Sequence, residues 1–556
     1  MAKHLRVVIV RPPVEVLHKF SKRFESLALG YLAAALRIDG HEAIMLDAQL
    51  LDLDIPETFS RIVELKPDIV AFTIVMNYFP TTLIELLAAI REAQLDAVVI
   101  VGGHSVSFFA DRILSRLPRV DGVIIGEGEL AIRGVARAIC EGSDWRRVPG
   151  VAARGDDGGF IQELPERIHD LDALPMAARD LTSTVIELDG IPAISTSRGC
   201  YARCSFCSVP RFYGLHRGRS GASGGWLTRS PNSVIGEIDQ LIQSFSLREL
   251  LFVDDEFFGG TEAGFHRARE LAIMLKEHNW PISLALSCRA ENAYPDVLER
   301  LQEGGLRHVF IGLEAGTERS LRLYGKRHSV EQNKRAVQVV KSLGLSFQTG
   351  FMMFNTYSTI QDVADNIAFL REIGEFKPLI MNSSMDPHFG TPVLLRLERD
   401  GALDDAGLHL SVKYDDPLVA AAKHVAEIVS ISYEPFMNFL AGIRSSITFQ
   451  WRRIVPNRTP EQERALDSFE EAVNCRFSTV VEKAVHRLLA PAPPADVVRD
   501  AEDELMDVVD DLKIAQGLLI AFLESTGDSL RYWSHKCLIR HYGSPTMEKP
   551  CPEYCH

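Results

Sequence analysis

Cys200, Cys204 and Cys207 fall in a Cys-x-x-x-Cys-x-x-Cys pattern, with Phe206 directly before the last of them. Three thiolates on one tight loop can each take an iron of a 4Fe–4S cluster. The fourth iron is then left open. An open iron can bind the amino and carboxylate groups of S-adenosylmethionine. An electron from the cluster can then split the sulfonium bond and release a 5′-deoxyadenosyl radical. The competing reading is a zinc knuckle. Zinc usually takes four ligands in paired Cys-x-x-Cys spacing, and no fourth ligand lies near in sequence.

Polar residues suited to such a ligand end strand-like runs further on. The run 250–253 leads into Asp254, Asp255 and Glu256, the run 283–286 into Cys288 and Arg289, and the run 308–313 into Glu314. Polar residues at the carboxyl ends of barrel strands read as ligand-facing. The Asp254–Glu256 edge offers acceptors for an amino group, Arg289 a cation for a carboxylate, and Glu314 an acceptor for ribose hydroxyls. Glu256 also stands where it could compete for the open iron. The plainer reading of each is a rim ion pair. Strand-like runs at 193–197, 347–352 and 379–382 complete the set, and helical stretches at 232–245, 263–278, 295–303, 330–343 and 360–373 separate them. This predicts a partial (β/α)6 barrel. Ser230 followed by Pro231 reads as the start of its first helix.

A second group of residues lies upstream. Apolar runs at 7–10, 43–46, 69–74, 98–101 and 122–125 alternate with helical stretches at 29–36, 56–65, 82–93, 109–116 and 129–139. That alternation predicts an α/β domain with a doubly wound, Rossmann-like parallel sheet. Such sheets bind ligands beyond the carboxyl ends of their strands. Those ends carry Pro12 and Pro13; Thr73 with Val75, Met76, Asn77 and Tyr78; Gly102, Gly103 and His104; and Gly126, Glu127 and Gly128. Glycine there lets backbone approach a ligand closely. One such pair is more often a plain turn, but four clusters on one rim argue for a site.

These motifs resemble the cobalamin-dependent radical SAM enzymes over about residues 3–395. Gly30-Tyr31-Leu32-Ala33-Ala34, Gly40-His41-Glu42, Gly102-Gly103-His104 and Gly126-Glu127-Gly128-Glu129 occur in the order of that family's cobalamin-binding domain. The resemblance implies three cofactors: a 4Fe–4S cluster on Cys200, Cys204 and Cys207, S-adenosylmethionine with its adenine against Phe206, and cobalamin on the upstream rim. It implies an enzyme, most often a class B-type methyltransferase. One S-adenosylmethionine methylates cobalt, a second yields the radical, and the substrate radical takes the methyl group. The better-known cobalamin motif, Asp-x-His-x-x-Gly after the first strand, is replaced here by Arg11-Pro12-Pro13-Val14. Asp39-Gly40-His41 keeps half of it, but Ile44 stands where glycine is required, so His41 reads as structural. Cobalt would then lack a histidine, and the loop 75–78 would meet its lower face. Asp-Asp-Glu-Phe also departs from the family's common Asp-Asp-Asn-Phe.

The implied partners are a small-molecule or natural-product substrate and an external electron donor of flavodoxin or ferredoxin type. Ring formation or rearrangement without methyl transfer competes with methylation. A methylthiotransferase needs further N-terminal cysteines, and only Cys140 precedes Cys200. A cobalamin-binding sensor with a relic barrel would not need the intact cysteine triad.

The remaining features set bounds. The chain has 556 residues and a formal charge of −15, which argues against nucleic acid or an anionic membrane as partner. No apolar run approaches the roughly 20 residues of a membrane helix, and the first ten residues lack signal-peptide anatomy, so a cytoplasmic enzyme is expected. The organisation reads as a cobalamin domain at 1–140, a linker with a small hairpin at 141–192, the barrel at 193–395 and a mostly helical C-terminal domain at 396–556, with helices at 417–439, 461–489 and 497–523. The Gly/Ser-rich stretch 217–225 reads as a mobile loop. His535, Cys537, His541, Cys551, Cys555 and His556 end the chain. A disordered tail is the expectation for them, with zinc or a second cluster the alternative.

Overall fold

Strands β1 (Arg6–Arg11), β2 (Glu42–Asp47), β3 (Ile69–Thr73), β4 (Val98–Gly102) and β5 (Gly122–Ile124) are the apolar runs of the first 140 residues. They pair in parallel in the order β2-β1-β3-β4-β5. The computed structural model describes residues 4–14, 24–74, 79–188, 190–217, 225–405, 408, 410–443 and 459–525. Alternate residues of each strand face opposite layers. Val7, Ile9, Ile69 and Ala71 pack under helices Leu27–Ile38 and Gly128–Glu141. Val8, Val10, Val70 and Phe72 pack under Ile55–Leu65, Thr81–Glu92 and Ala110–Arg116. Burial on both faces explains why these strands read as continuous apolar runs.

The hairpin expected in the linker does more than connect. Strands β6 (Val151–Arg154) and β7 (Phe160–Gln162) continue the sheet antiparallel from β5, giving seven strands. Strand β8 (Ala193–Ile194) then opens the second sheet. The short antiparallel ribbon of β9 (Ser197–Gly199) and β10 (Trp226–Thr228) carries the chain into and out of the cysteine loop. Strands β11 (Glu249–Phe252), β12 (Ser283–Arg289), β13 (Leu306–Glu314) and β14 (Ser346–Phe351) complete a five-stranded sheet in the order β14-β13-β12-β11-β8. Ser230 caps helix Pro231–Ser244 by accepting from Ser233 N, with Pro231 in the first turn, as its sequence predicts.

Two expectations are corrected. The run 379–382 is not a sixth strand: Pro378–Met381 is one helical turn. Pro378 sits in the first turn with φ preset for a helix, and a four-residue apolar run cannot by itself tell strand from helix. The C-terminal domain also starts later than residue 396. Phe389, Leu394 and Leu408 are buried in the core beneath β1, β3 and β4. The hairpin β15 (Leu403–Asp405) and β16 (Leu410–Val412) follows them, and Leu403 and Leu410 rest on that same core.

The chain therefore forms two compact units. The described residues of Met1–Leu313, Glu318–Gly350 and Met385–Lys413 make one; those of Glu314–Thr317, Phe351–Ser384 and Tyr414–His556 make the other. The second unit is mostly helical. Its long helices Pro417–Ile443, Pro460–Leu489 and Pro494–Ser525 agree with the periodicity of the sequence. Tyr433, Phe436, Phe439, Phe469 and Phe477 form its aromatic core. Among the described residues no helix is long and apolar enough to cross a membrane.

One buried histidine gives the first unit a pH signature. His308 on β13 is 1% exposed, and burial pushes its pKa down to about 3. Below about pH 6.5 the unfolded chain takes up a proton that the folded chain refuses. Stability is therefore full above pH 6.5 and falls as pH drops toward 3. At 1.36 kcal/mol per pKa unit the loss is roughly 3–5 kcal/mol. Urea unfolding of a His308→Gln variant should show a shallower decline with acid than the parent over this range.

Candidate functional site

Gly199 delivers the chain to Cys200 in a left-handed conformation, φ +87. A Cβ there would fall 2.3 Å from the Gly225 carbonyl oxygen, so only glycine closes the ribbon. The cysteine loop is then tied down by its neighbours. Ser205 donates through N to Tyr324 O (2.8 Å) and through Oγ to Leu323 O (2.8 Å). Ser205 O accepts from Val393 N at 2.9 Å. Phe206 meets the Tyr324 ring edge-on, with centroids 5.6 Å apart. Cys200 and Cys204 are 9% and 8% exposed. Burial pushes the Cys200 thiol up to about 12 and that of Cys207 higher still. Iron would have to displace those protons on binding, since it takes the thiolate. Among the described residues no three His, Cys, Asp or Glu side chains converge as ligands of one metal ion. Cysteines that each take a different iron of a cluster need no such convergence.

The acidic edge after β11 divides into three different environments. Asp254 is saturated by the protein: Thr196 N (2.7 Å), Thr196 Oγ1 (2.5 Å) and Ser197 N (2.8 Å) all donate to it. Those bonds fix the turn between β8 and β9. Glu256 is fully buried and accepts from Phe258 N (3.1 Å), Arg289 N (3.0 Å) and Asn292 Nδ2 (2.8 Å). Burial raises its pKa to about 7. Asp255 accepts only from Gly199 N (3.1 Å) among the described bonds, and burial raises it to about 6. Of the three, Asp255 keeps the most acceptor capacity for a ligand.

Arg289 ends β12 beside the cysteine loop, with Nη1 3.2 Å from Cys204 Sγ. Its Nε donates to Glu291 (2.5 Å). Burial works against the guanidinium charge, but Cys204 and Glu291 outweigh it and raise its pKa. Burial likewise opposes ionisation of Glu291, yet its bond to His328 and the Arg289 charge bring it down to about 2. Glu314 lies in the second unit with a left-handed backbone, φ +69, its carbonyl accepting from Met352 N (2.9 Å).

Beyond the carboxyl ends of the first sheet lies a cavity of about 300 Å³. Thr73, Gly102, Gly103, His104, Gly126, Glu127 and Gly128 line it, as does Asp255. Pro12 and Pro13 do not line it; their carbonyls accept from Gln49 Nε2 (2.9 Å) and Thr82 Oγ1 (2.5 Å). Val75, Met76, Asn77 and Tyr78 lie outside the described residues, as do 218–224 of the Gly/Ser-rich stretch and the Cys/His-rich end of the chain. Gly103, φ +126, is obligatory, because a Cβ would come within 2.1 Å of the Ile74 carbonyl. His104 Nε2 is 2.8 Å from Ser208 Oγ and its ring stacks on Phe212 at 4.3 Å. Burial, and then the nearby His388, push it down to about 4, so it is neutral. His41 sits elsewhere, with Nδ1 accepting from Leu5 N (3.3 Å).

Several site residues escaped the sequence reading. Arg198 pairs with Glu127 (2.8 Å) and Glu129 (2.6 Å), with its guanidinium 5.0 Å from the centre of the Tyr31 ring. Ser195, Ser197 and Arg198 also line the cavity, so the glycine-rich rim and the strand entering the cysteine loop share a wall. Arg198 adjoins Gly199 and Cys200, which was a visible signal. Glu291 and Asn292 stand in the 3-10 turn Ala290–Asn292 directly after Arg289, whereas nothing local marks His328.

Two family models match the chain. Residues 15–136 match the B12 binding domain and residues 194–370 the radical SAM superfamily. An uncharacterized methyltransferase of Pyrococcus horikoshii is 27% identical over 67% of this chain and 79% of its own length. The anaerobic magnesium-protoporphyrin IX monomethyl ester cyclase of Rubrivivax gelatinosus is 27% identical over 62% of this chain, which spans only 61% of that relative. Among solved structures, the cobalamin-dependent S-adenosylmethionine radical enzyme OxsB with aqua-cobalamin bound shares the fold with a TM-score of 0.76, 18% identity, and coverage of 97% of this chain and 83% of that one. The radical S-adenosylmethionine methyltransferase TsrM from Kitasatospora setae gives 0.57 and 19% over 75% of this chain and 82% of its own.

Two outcomes follow from the geometry. Replacing Cys200, Cys204 and Cys207 together with Ala should abolish iron uptake on anaerobic reconstitution, measured as iron per chain. Arg198→Met should leave two carboxylates buried without their cation, which typically costs about 3–5 kcal/mol. Calorimetry should show that loss, and the variant should retain less cobalamin after gel filtration than the parent.

Proposed function

We propose that this cobalamin-dependent radical SAM enzyme is a C-methyltransferase acting on a small-molecule or natural-product substrate. One observation carries the reading: the cavity above the first sheet and the strand leading into Cys200 share residues Ser197 and Arg198 within one unit. A methyl donor and a radical source placed there would face the same space. Bound together, the cluster, S-adenosylmethionine and cobalamin would supply a hydrogen-abstracting radical and a transferable methyl group.

The chain's own residues have definite tasks in this reading. Cys200, Cys204 and Cys207 hold the cluster. Arg289 offers fixed guanidinium donors to the carboxylate of S-adenosylmethionine, and Asp255 borders its amino group. Gly102, Gly103, Gly126 and Gly128 give backbone access to cobalamin, with Thr73, His104 and Glu127 beside them. His104 is engaged by Ser208 and Phe212, which supports cobalamin bound without a histidine on cobalt. The buried surround limits water around the reacting groups. A flavodoxin- or ferredoxin-type protein would supply the electrons.

Ring formation without methyl transfer is the second reading, favoured by the relatives named as a cyclase and as 4′-phospho-dehydrooxetanocin synthase. A substrate-free experiment separates the two. The reconstituted protein is incubated under reducing conditions with cobalamin and S-adenosylmethionine bearing a trideuterated methyl group. A methyltransferase should produce trideuteromethyl-cobalamin and an equal amount of S-adenosylhomocysteine by mass spectrometry. Release of 5′-deoxyadenosine with neither product would favour the ring-forming reading.

A further inference from the structure

Arg289 is held from three sides. Its Nη1 stands 3.2 Å from Cys204 Sγ, and its Nε donates to one oxygen of Glu291 at 2.5 Å. The other oxygen of Glu291 lies 2.7 Å from Nδ1 of His328. The Tyr201 ring lies beside the guanidinium, centroid to Cζ 5.7 Å. A carboxylate only accepts, so His328 Nδ1 is the donor in that bond. The result is a chain of side chains, His328 to Glu291 to Arg289 to the sulfur of Cys204.

This chain is expensive for a merely structural feature. The His328 side chain is 0% exposed, and its Nε2 has no hydrogen-bond partner among the described residues. Burying a carboxylate, a guanidinium and an imidazole rarely adds net stability compared with apolar packing. What the arrangement does supply is direction. Arg289 has a long side chain with many rotamers, and Glu291 leaves it one. Glu291 is itself fixed twice: by His328, and by its place in the turn Ala290–Asn292. There Asn292 donates to Glu256 (2.8 Å) and to Tyr201 Oη (3.1 Å). The guanidinium fork carries five N–H donors, so it can face a ligand carboxylate without releasing the sulfur.

We propose that Glu291 and His328 are positioning residues that fix Arg289 as a hydrogen-bond donor to the Cys204 thiolate, and that this contact raises the reduction potential of the iron–sulfur cluster. The inference rests on the assignment of Cys204 as a cluster ligand. Hydrogen bonds to cluster sulfurs and nearby positive charge favour the reduced form. A cluster that must accept an electron before S-adenosylmethionine can be cleaved benefits from both.

The sign of one measurement separates positioning from simple charge. Full-length reconstituted protein is titrated potentiometrically, without S-adenosylmethionine, following the reduced cluster by electron paramagnetic resonance. If Glu291 positions Arg289, Glu291→Ala frees the guanidinium and the potential shifts down. Glu291→Gln keeps an acceptor for Nε and stays at or above the parent value. If Glu291 acts only through its negative charge, both variants shift up. An unchanged or raised potential in Glu291→Ala at full iron content overturns the proposal. Should that variant fail to fold or to hold iron, His328→Phe makes the same test, since it releases Glu291 while leaving the Glu291 carboxylate in place. A downward shift supports the proposal and an unchanged value overturns it. A parent protein that takes up iron but shows no cluster signal would instead refute the cluster assignment itself.

Discussion

A guanidinium buried between two carboxylates sets the frame for everything around it. Arg198 reaches Glu127 and Glu129 across the end of the first sheet, and two residues later the chain places Cys200. Removing three charges from water costs several kcal/mol per ion, recovered only when the geometry is good. Here it is good: both bonds are short, and the Tyr31 ring lies beside the cation. One cation against two acids leaves the balance negative, and burial accordingly raises the pKa of Glu127. The glycines of the rim can therefore be close to the ligand space without being loose, because the acids between them are pinned.

The same logic sorts the acidic residues after β11. Three consecutive carboxylates would repel one another if all were exposed to the same space. The fold separates them by giving each a different set of donors. Asp254 receives three and acts as a brace between β8, β9 and β11. Glu256 receives three as well, from Phe258, Arg289 and Asn292, and so ties β12 and the turn behind it to the edge. Only Asp255, between them, borders the cavity. Alternation along an extended segment alone would send residues 254 and 256 to one side and 255 to the other. The hydrogen bonds then decide what each can do.

Much of the fold was legible because burial on two faces leaves a plain mark. Val7 to Val10 and Ile69 to Phe72 are apolar without a break, and the cysteine spacing names its chemistry with few alternatives. What the sequence concealed lies at longer range or below the resolution of periodicity. The turn Pro378–Met381 carries the same apolar residues a strand would, and only the proline marks it. Residue 396 looks like the start of a new domain, yet Leu408 beyond it and Phe389 before it both lie in the core of the first sheet. Nothing local announces that return. Likewise the pairing of His328 with Glu291 spans 37 residues, and no spacing rule links them. Part of the difference is chemical: the open positions of a site look alike in sequence whether or not the protein later saturates them, as Asp254 and Asp255 show.

Glu314 shows how backbone strain can single out a residue. It is the last residue of β13 and adopts φ +69, a conformation that glycine holds easily and glutamate does not. The residue two positions on is Gly316, so the chain had a glycine at hand and did not place it at the strained position. The strain, of order 1 kcal/mol or more, is held by Met352 N donating to the Glu314 carbonyl and by Asn366 accepting from Gly316 N at 2.8 Å. Phe369 closes against Gly316 so tightly that a Cβ would lie 2.5 Å from its own Cβ, which forbids exchanging the two residues. Glycine at 314 would relieve the backbone and lose only the side chain. The strain is therefore tolerated with glutamate in place, because the bonds from Met352 N and to Asn366 hold the turn on both sides of it.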